Sequence, residues 1–178
     1  MSARLGDFMQ TASGRVYWPI DPRSEEVDIL DIAHALANLC RFGGHTRRFY
    51  SVAEHCVLVS QVVPPADALH GLLHDATEAY CVDVPTPVKR HLSGYTDIEH
   101  RNWRAICERF KLDPTMPDSV HAADTAVLLA EKDALMPFGV AWGISGSPAA
   151  VHVQGLSPLS ARAAFMRRWR ELAQSTIW

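Results

Sequence analysis

Leu72-Leu73-His74-Asp75-Ala76-Thr77-Glu78 sets a histidine and an aspartate inside an apolar run, with a glutamate one helical turn further on. Leu69, Leu72, Leu73 and Ala76 recur at helical period, which predicts a helix through this stretch, starting near Ala66. On that helix His74 and Glu78 stand at i and i+4, and Asp75 and Glu78 at i and i+3, so three polar groups converge on one face. Charged groups in apolar surroundings are costly unless partnered. The face therefore reads as a site that needs partners from elsewhere in the chain.

Two residues fit. His55 lies in Ser51-Val52-Ala53-Glu54-His55, where Ser51 and Glu54 have the spacing of a capping box and Val52, Cys56, Val59 and Val63 form an apolar stripe that His55 borders. Asp124 lies in Val120-His121-Ala122-Ala123-Asp124-Thr125-Ala126-Val127, a carboxylate among small and apolar residues that needs a partner. His55, His74, Asp75 and Asp124 together offer two nitrogen and two oxygen ligands. That mix suits a borderline divalent metal such as Zn, Co, Mn, Fe or Ni, and ligand type does not choose among them.

Around this centre the periodicity is helical. Ile29, Ile32, Ala33, Leu36, Leu39 and Cys40 give one face, closed by Gly43-Gly44. The helix of Ser51 ends before Pro64-Pro65, Thr96 with Glu99 opens another that ends near Phe110, Pro117-Asp118 opens the helix of Asp124, and Ser157-Pro158 opens the last. Residues 137–155, rich in Gly, Ser and Pro, form a loop. Residues 1–27 are an irregular N-terminal arm or hairpin broken by Gly14, Pro19 and Pro22, and residues 28–178 are the helical core. The expected class is all-α, a single helical bundle carrying that arm. Trp18 and Tyr17 in the arm either help shape a pocket or serve packing and subunit contact.

The order His, His-Asp, Asp, each on its own helix, resembles the HD-domain metal-dependent phosphohydrolases, and among them the small 5'-deoxynucleotidases and their phage relatives that hydrolyse dATP. The resemblance runs from about Arg41 to Asp124. Ser51-Val52-Ala53-Glu54-His55 resembles the first-histidine segment, His74-Asp75-Ala76-Thr77-Glu78 the central motif, and Asp83-Val84-Pro85-Thr86-Pro87-Val88-Lys89 the loop that follows. It implies an HD-domain helical bundle with His55, His74, Asp75 and Asp124 as metal ligands. It also implies Glu78 as the residue that positions or deprotonates the attacking water, and Asp83 as the contact to the sugar hydroxyl.

Arg41 is the favoured phosphate contact, since an arginine followed by an aromatic residue precedes the first metal histidine in the resembling enzymes, and a guanidinium suits bidentate phosphate binding. Phe42 stands where those bacterial enzymes carry tryptophan. Lys89 is the second phosphate candidate, and Trp18 a candidate wall for a purine. The substrate implied is a 2'-deoxynucleotide, dATP or a deoxynucleoside monophosphate, converted to deoxynucleoside plus phosphate or polyphosphate. The competing readings are a cyclic-nucleotide phosphodiesterase and a non-catalytic nucleotide-binding module.

Composition bounds the rest. The chain has 178 residues, 48% hydrophobic and 21% charged, which are globular values for one domain. A net charge of -3 gives no general field for a nucleic-acid polymer. Cys40, Cys56, Cys81 and Cys107 lack any CxxC pair and read as free thiols. With no signal-like segment or long apolar span, the expectation is a cytoplasmic protein, of a bacterium or a phage-infected cell, that binds no membrane and forms a homo-oligomer.

Overall fold

A computed structural model of the chain describes residues 4–137 and 139–175. Phe138 of the predicted loop, residues 1–3 of the arm and residues 176–178 at the end of the helical core lie outside the described residues. The protein is predominantly α-helical: α1 (Ile29–Asn38), α2 (Val52–Val62), α3 (Ala68–Leu73), α4 (Glu78–Cys81), α5 (Thr86–Lys89), α6 (Tyr95–Phe110), α7 (Asp118–Leu135) and α8 (Pro158–Ser175). The arm forms a small antiparallel hairpin of β1 (Met9–Gln10) and β2 (Val16–Tyr17), with Met9 opposite Tyr17. It is no separate body. Tyr17 and Val27 are fully buried in the same core as α1 and α2, and the Tyr17 ring stacks on Tyr80 of α4 at 3.7 Å.

The centre of the bundle is α2. Every residue from Val52 to Ser60 is buried, beyond the single stripe that the periodicity suggests, because α1, α3, α7 and α8 all pack against it. Ser51 caps it by accepting the Glu54 N–H at 3.2 Å. The reciprocal half of the capping box is replaced by a longer tie, in which the Glu54 carboxylate accepts the N–H groups of Gln154, Gly155 and Leu156 at 2.7, 3.0 and 2.6 Å. A loop over a hundred residues away in the chain is thereby latched onto the turn that precedes His55.

Gly71 sets how closely α3 approaches α2. A Cβ there would stand 3.1 Å from the Cα of Ser60, so the two backbones meet almost directly, and the Ser60 hydroxyl donates to the Ala68 carbonyl at 2.8 Å.

One expectation changes in form. The predicted continuous helix through His74 and Glu78 breaks after Leu73, and residues 74–77 form a tighter turn before α4. Hydrogen bonds there reach back three residues, from the Ala76 N–H to Leu73 O at 2.9 Å and from the Glu78 N–H to Asp75 O at 3.0 Å. Within this turn the successive residues His74 and Asp75 bring Nε2 and Oδ2 to 3.2 Å of each other. Elsewhere, α6 starts at Tyr95 behind a left-handed Gly94, one residue before the predicted Thr96.

Candidate metal centre

His55 projects from the buried middle of α2, His74 and Asp75 from the turn after α3, and Asp124 from α7. His55 Nε2 lies 3.2 Å from His74 Nε2, 3.6 Å from Asp75 Oδ2 and 3.1 Å from Asp124 Oδ1, while His74 Nε2 lies 3.2 Å from Asp75 Oδ2. The ligand atoms of His55, His74 and Asp75 all fall within 4.8 Å of one another. Asp124 joins from the His55 side with 41% of its side chain exposed, so the cluster is most open to solvent there.

The other ring nitrogens fix what these atoms can do. The Nδ1 of His55 is held by Glu131 Oε1 at 2.6 Å and that of His74 by the Gly71 carbonyl at 2.9 Å. Both partners only accept, so each Nδ1 carries the hydrogen, and in the neutral rings each Nε2 is a lone pair aimed at the cluster. Two lone pairs and two carboxylates facing each other at 3.1–3.6 Å repel unless a positive charge sits among them. Donors bound to one first-row ion at about 2.1 Å stand roughly 3.0–3.4 Å apart, and three of the four separations here fall in that range, the fourth being 3.6 Å. The cluster can hold a metal ion.

The electrostatics agree. Burial works against a charge on His74, yet Asp75 raises its pKa well above the usual value, and His55 is raised against burial and Arg41 by Glu131 and Asp124. Burial would lift the Asp75 and Asp124 carboxyls, but the histidines hold both low. The same field that draws protons to the imidazoles draws a cation.

A second layer of charge supports the first. Glu131 is fully buried on α7. Besides the His55 ring it accepts the Tyr50 hydroxyl at 2.7 Å and pairs with Arg41 Nη2 at 3.2 Å, and against burial these neighbours keep it ionised. Carboxylates behind metal-binding histidines orient the ring and raise its basicity. Arg41 also reaches Asp75 at 3.5 Å, so its guanidinium sits at the edge of the cluster. Neither Glu131 nor Tyr50 stands out in the sequence.

Glu78 opens α4, and its buried Oε2 has no hydrogen-bond partner among the described residues. Burial first, then the charges of Asp75 and Asp83, push its pKa well above the ordinary glutamate range. Asp83, half-buried, is likewise raised mainly by burial. The field of Asp75 reaches both carboxyls, which places them in the electrostatic neighbourhood of the cluster. Phe42 follows Arg41 directly, with the guanidinium carbon 5.2 Å from its ring centroid.

Two other predicted residues have their partners elsewhere. Lys89 pairs with Glu99 at 2.6 Å and lies over the Tyr95 ring. Trp18 packs inside the arm, against Phe8 at 5.7 Å and beneath the Arg4 guanidinium at 4.2 Å. All four cysteines are free thiols, and Cys56 is buried one residue after His55, its pKa pushed up to about 11 by burial.

Fold and site thus define a helical protein with a centre of two histidines and an aspartate able to hold a metal ion. No family model matches the chain. It is 40% identical over 171 residues to the uncharacterized protein YfdR of Escherichia coli (strain K12), an alignment covering 94% of this chain and 96% of that protein. It is 36% identical over 189 residues to the uncharacterized protein RCAP_rcc00048 of Rhodobacter capsulatus, with the same coverage of each. The chain belongs to the family of these YfdR-like proteins. Among the described residues no helix is long and apolar enough to cross a membrane.

Proposed function

We propose that the protein is a metal-dependent phosphohydrolase of the HD-domain kind, acting on 2'-deoxynucleotides in the cytoplasm. The observation that carries the reading is the convergence of the His55 and His74 Nε2 atoms with Asp75 and Asp124, each ring fixed from behind by Glu131 or the Gly71 carbonyl. His55, His74, Asp75 and Asp124 hold the ion, a divalent Zn, Co, Mn, Fe or Ni. When bound, the ion supplies Lewis acidity toward the phosphate ester and lowers the pKa of nearby water.

The chain's own residues do the rest. Glu78, half-buried with its Oε2 enclosed and without a hydrogen-bond partner among the described residues, takes a proton from the attacking water. The water oxygen bonds to phosphorus, the bond from phosphorus to the leaving oxygen breaks, and the proton passes from Glu78 to the product. Arg41, at the cluster's edge, turns its guanidinium to a phosphate oxygen and offsets charge that develops there. Asp83 accepts a hydrogen bond from the sugar hydroxyl, and Phe42 packs against the sugar ring. The products are deoxynucleoside and phosphate from a monophosphate, or deoxynucleoside and a polyphosphate from a triphosphate such as dATP.

The test pairs metal analysis of the purified protein with phosphate release from a panel of deoxynucleotides, ribonucleotides and cyclic nucleotides. Stoichiometric transition metal and metal-dependent release from deoxynucleotides is the expected result. Cleavage confined to cyclic nucleotides, or metal without turnover of any nucleotide, overturns it.

A further inference from the structure

Trp142 lies in the loop between α7 and α8, half-buried between the exposed Ala141 and Gly143. Its indole centroid is 5.8 Å from that of Phe42, with the planes tilted by 53°, and Lys132 Nζ lies 5.7 Å from the indole centroid. Phe42 is the sequence neighbour of Arg41 and Lys132 that of Glu131, while Arg41 and Glu131 are themselves ion-paired at 3.2 Å. The contacts close into a circuit from Arg41 through Phe42, Trp142, Lys132 and Glu131 back to Arg41. An indole on a loop of the opposite half of the chain is thereby held beside the charged cluster.

Backbone and packing keep it there. Phe42 has φ 56°, a left-handed conformation that a bulky side chain adopts only when its surroundings enforce it. The Trp142 loop is tied down after the indole, with the Ala149 N–H on the Ala126 carbonyl at 2.8 Å and the Glu54 latch on residues 154–156 beyond it. Before it, the Arg47 N–H binds the Leu135 carbonyl at 2.9 Å. The two ring steps from the Arg41 guanidinium to the indole are on the scale of a nucleoside, and the partly open indole offers a surface for a planar group.

We infer that Trp142 forms the wall of a subsite for the nucleobase, one ring step beyond Phe42 at the sugar, with phosphate at Arg41 and the metal ligands. The inference rests on the nucleotide-hydrolase reading and assigns the base wall to Trp142 in place of Trp18. Stacking on an aromatic side chain is sequence-tolerant, so the subsite selects a nucleoside over a simple phosphate ester and favours large bases by contact area.

Binding of deoxyadenosine and of inorganic phosphate, neither of which can be turned over, is measured by equilibrium dialysis on the full-length metal-loaded protein. Trp142→Ala should weaken deoxyadenosine binding by about fivefold to a hundredfold, the usual effect of removing one stacking ring, with phosphate binding unchanged. Trp142→Phe should stay near the parent for both ligands, showing that an aromatic ring suffices. Deoxyadenosine binding unaffected by Trp142→Ala overturns the subsite, as does equal loss of both ligands in the two variants or no deoxyadenosine binding by the parent. Deoxyadenosine binding that depends on Trp142, in a protein releasing phosphate from no nucleotide, would remove the hydrolase reading and leave the subsite standing.

Discussion

Glu131 Oε1 lies 2.6 Å from the Nδ1 of His55, joining residues 76 positions apart inside a site that neither could form alone. Because Glu131 also takes the Tyr50 hydroxyl and the Arg41 guanidinium, one buried carboxylate sets the tautomer of a candidate metal ligand and anchors the candidate phosphate contact.

Glu131→Gln keeps the shape but removes the charge behind the ring. Such changes behind a metal-binding histidine cost about 10- to 100-fold in metal affinity. A chelator competition titration reads it, and an affinity equal to the parent's would show that the carboxylate only fills the core.

Asp124 is the most exposed of the four candidate ligands, so its loss should disturb the fold least. Asp124→Ala is expected to keep its helical circular dichroism while losing bound metal and turnover. A variant that kept both would exclude Asp124 from the ligand set and leave His55, His74 and Asp75 as the protein's donors.

Glu78→Gln should retain metal and lose about 10²- to 10⁴-fold in rate, the usual worth of general acid–base help. Its pKa is raised, chiefly by burial and then by Asp75 and Asp83. In the metal-stripped protein the unfolded chain ionises Glu78 at its ordinary value while the folded chain resists. Stability from the neutral form is therefore full below the ordinary value of 4.5 and is lost as pH rises through the raised one. Glu78→Gln removes that loss, so the stripped variant should melt above the stripped parent at neutral pH and with it in acid. Equal melting at neutral pH would contradict an enclosed Oε2 with no partner among the described residues.

Glu54→Ala strips acceptors from three loop N–H groups. With Gln154 exposed and Gly155 and Leu156 half-buried, water replaces part of what is lost, so the variant should lose about 1–3 kcal/mol in all in denaturant unfolding and expose residues 147–157 to protease. Parent-like resistance in that segment would mean the loop is held by other contacts.

Deoxynucleotides should be preferred over ribonucleotides by roughly tenfold to a hundredfold, the effect of an unaccommodated buried hydroxyl at about 1–3 kcal/mol. Rates on dATP, dAMP, ATP and dGTP with one metal decide it. Equal rates on ATP and dATP refute the sugar preference, and equal rates on dATP and dGTP refute a preference for adenine.

The helices and the candidate ligands were legible because polar groups in apolar helical runs are conspicuous: His55, His74, Asp75 and Asp124 each interrupt a run of small or aliphatic residues. Glu131 was not, since Glu131-Lys132-Asp133 resembles a solvated surface. The available signal was its step of two helical turns from Asp124, which sets both carboxylates on one face of α7. The break after Leu73 leaves no mark in the sequence, because periodicity cannot distinguish a helix from one tightened over four residues. The partners of Lys89, Trp18 and Trp142 depend on how the loops fold back, and no local pattern encodes that.

Because Val52 to Ser60 of α2 are all buried, the backbone that carries His55 cannot open without disrupting the bundle. An ion held there would leave on the side of the partly exposed Asp75 and Asp124, so its residence time should follow the motion of those side chains at low denaturant and global unfolding at high denaturant. Metal exchange would then serve as a clock for the opening of the whole molecule.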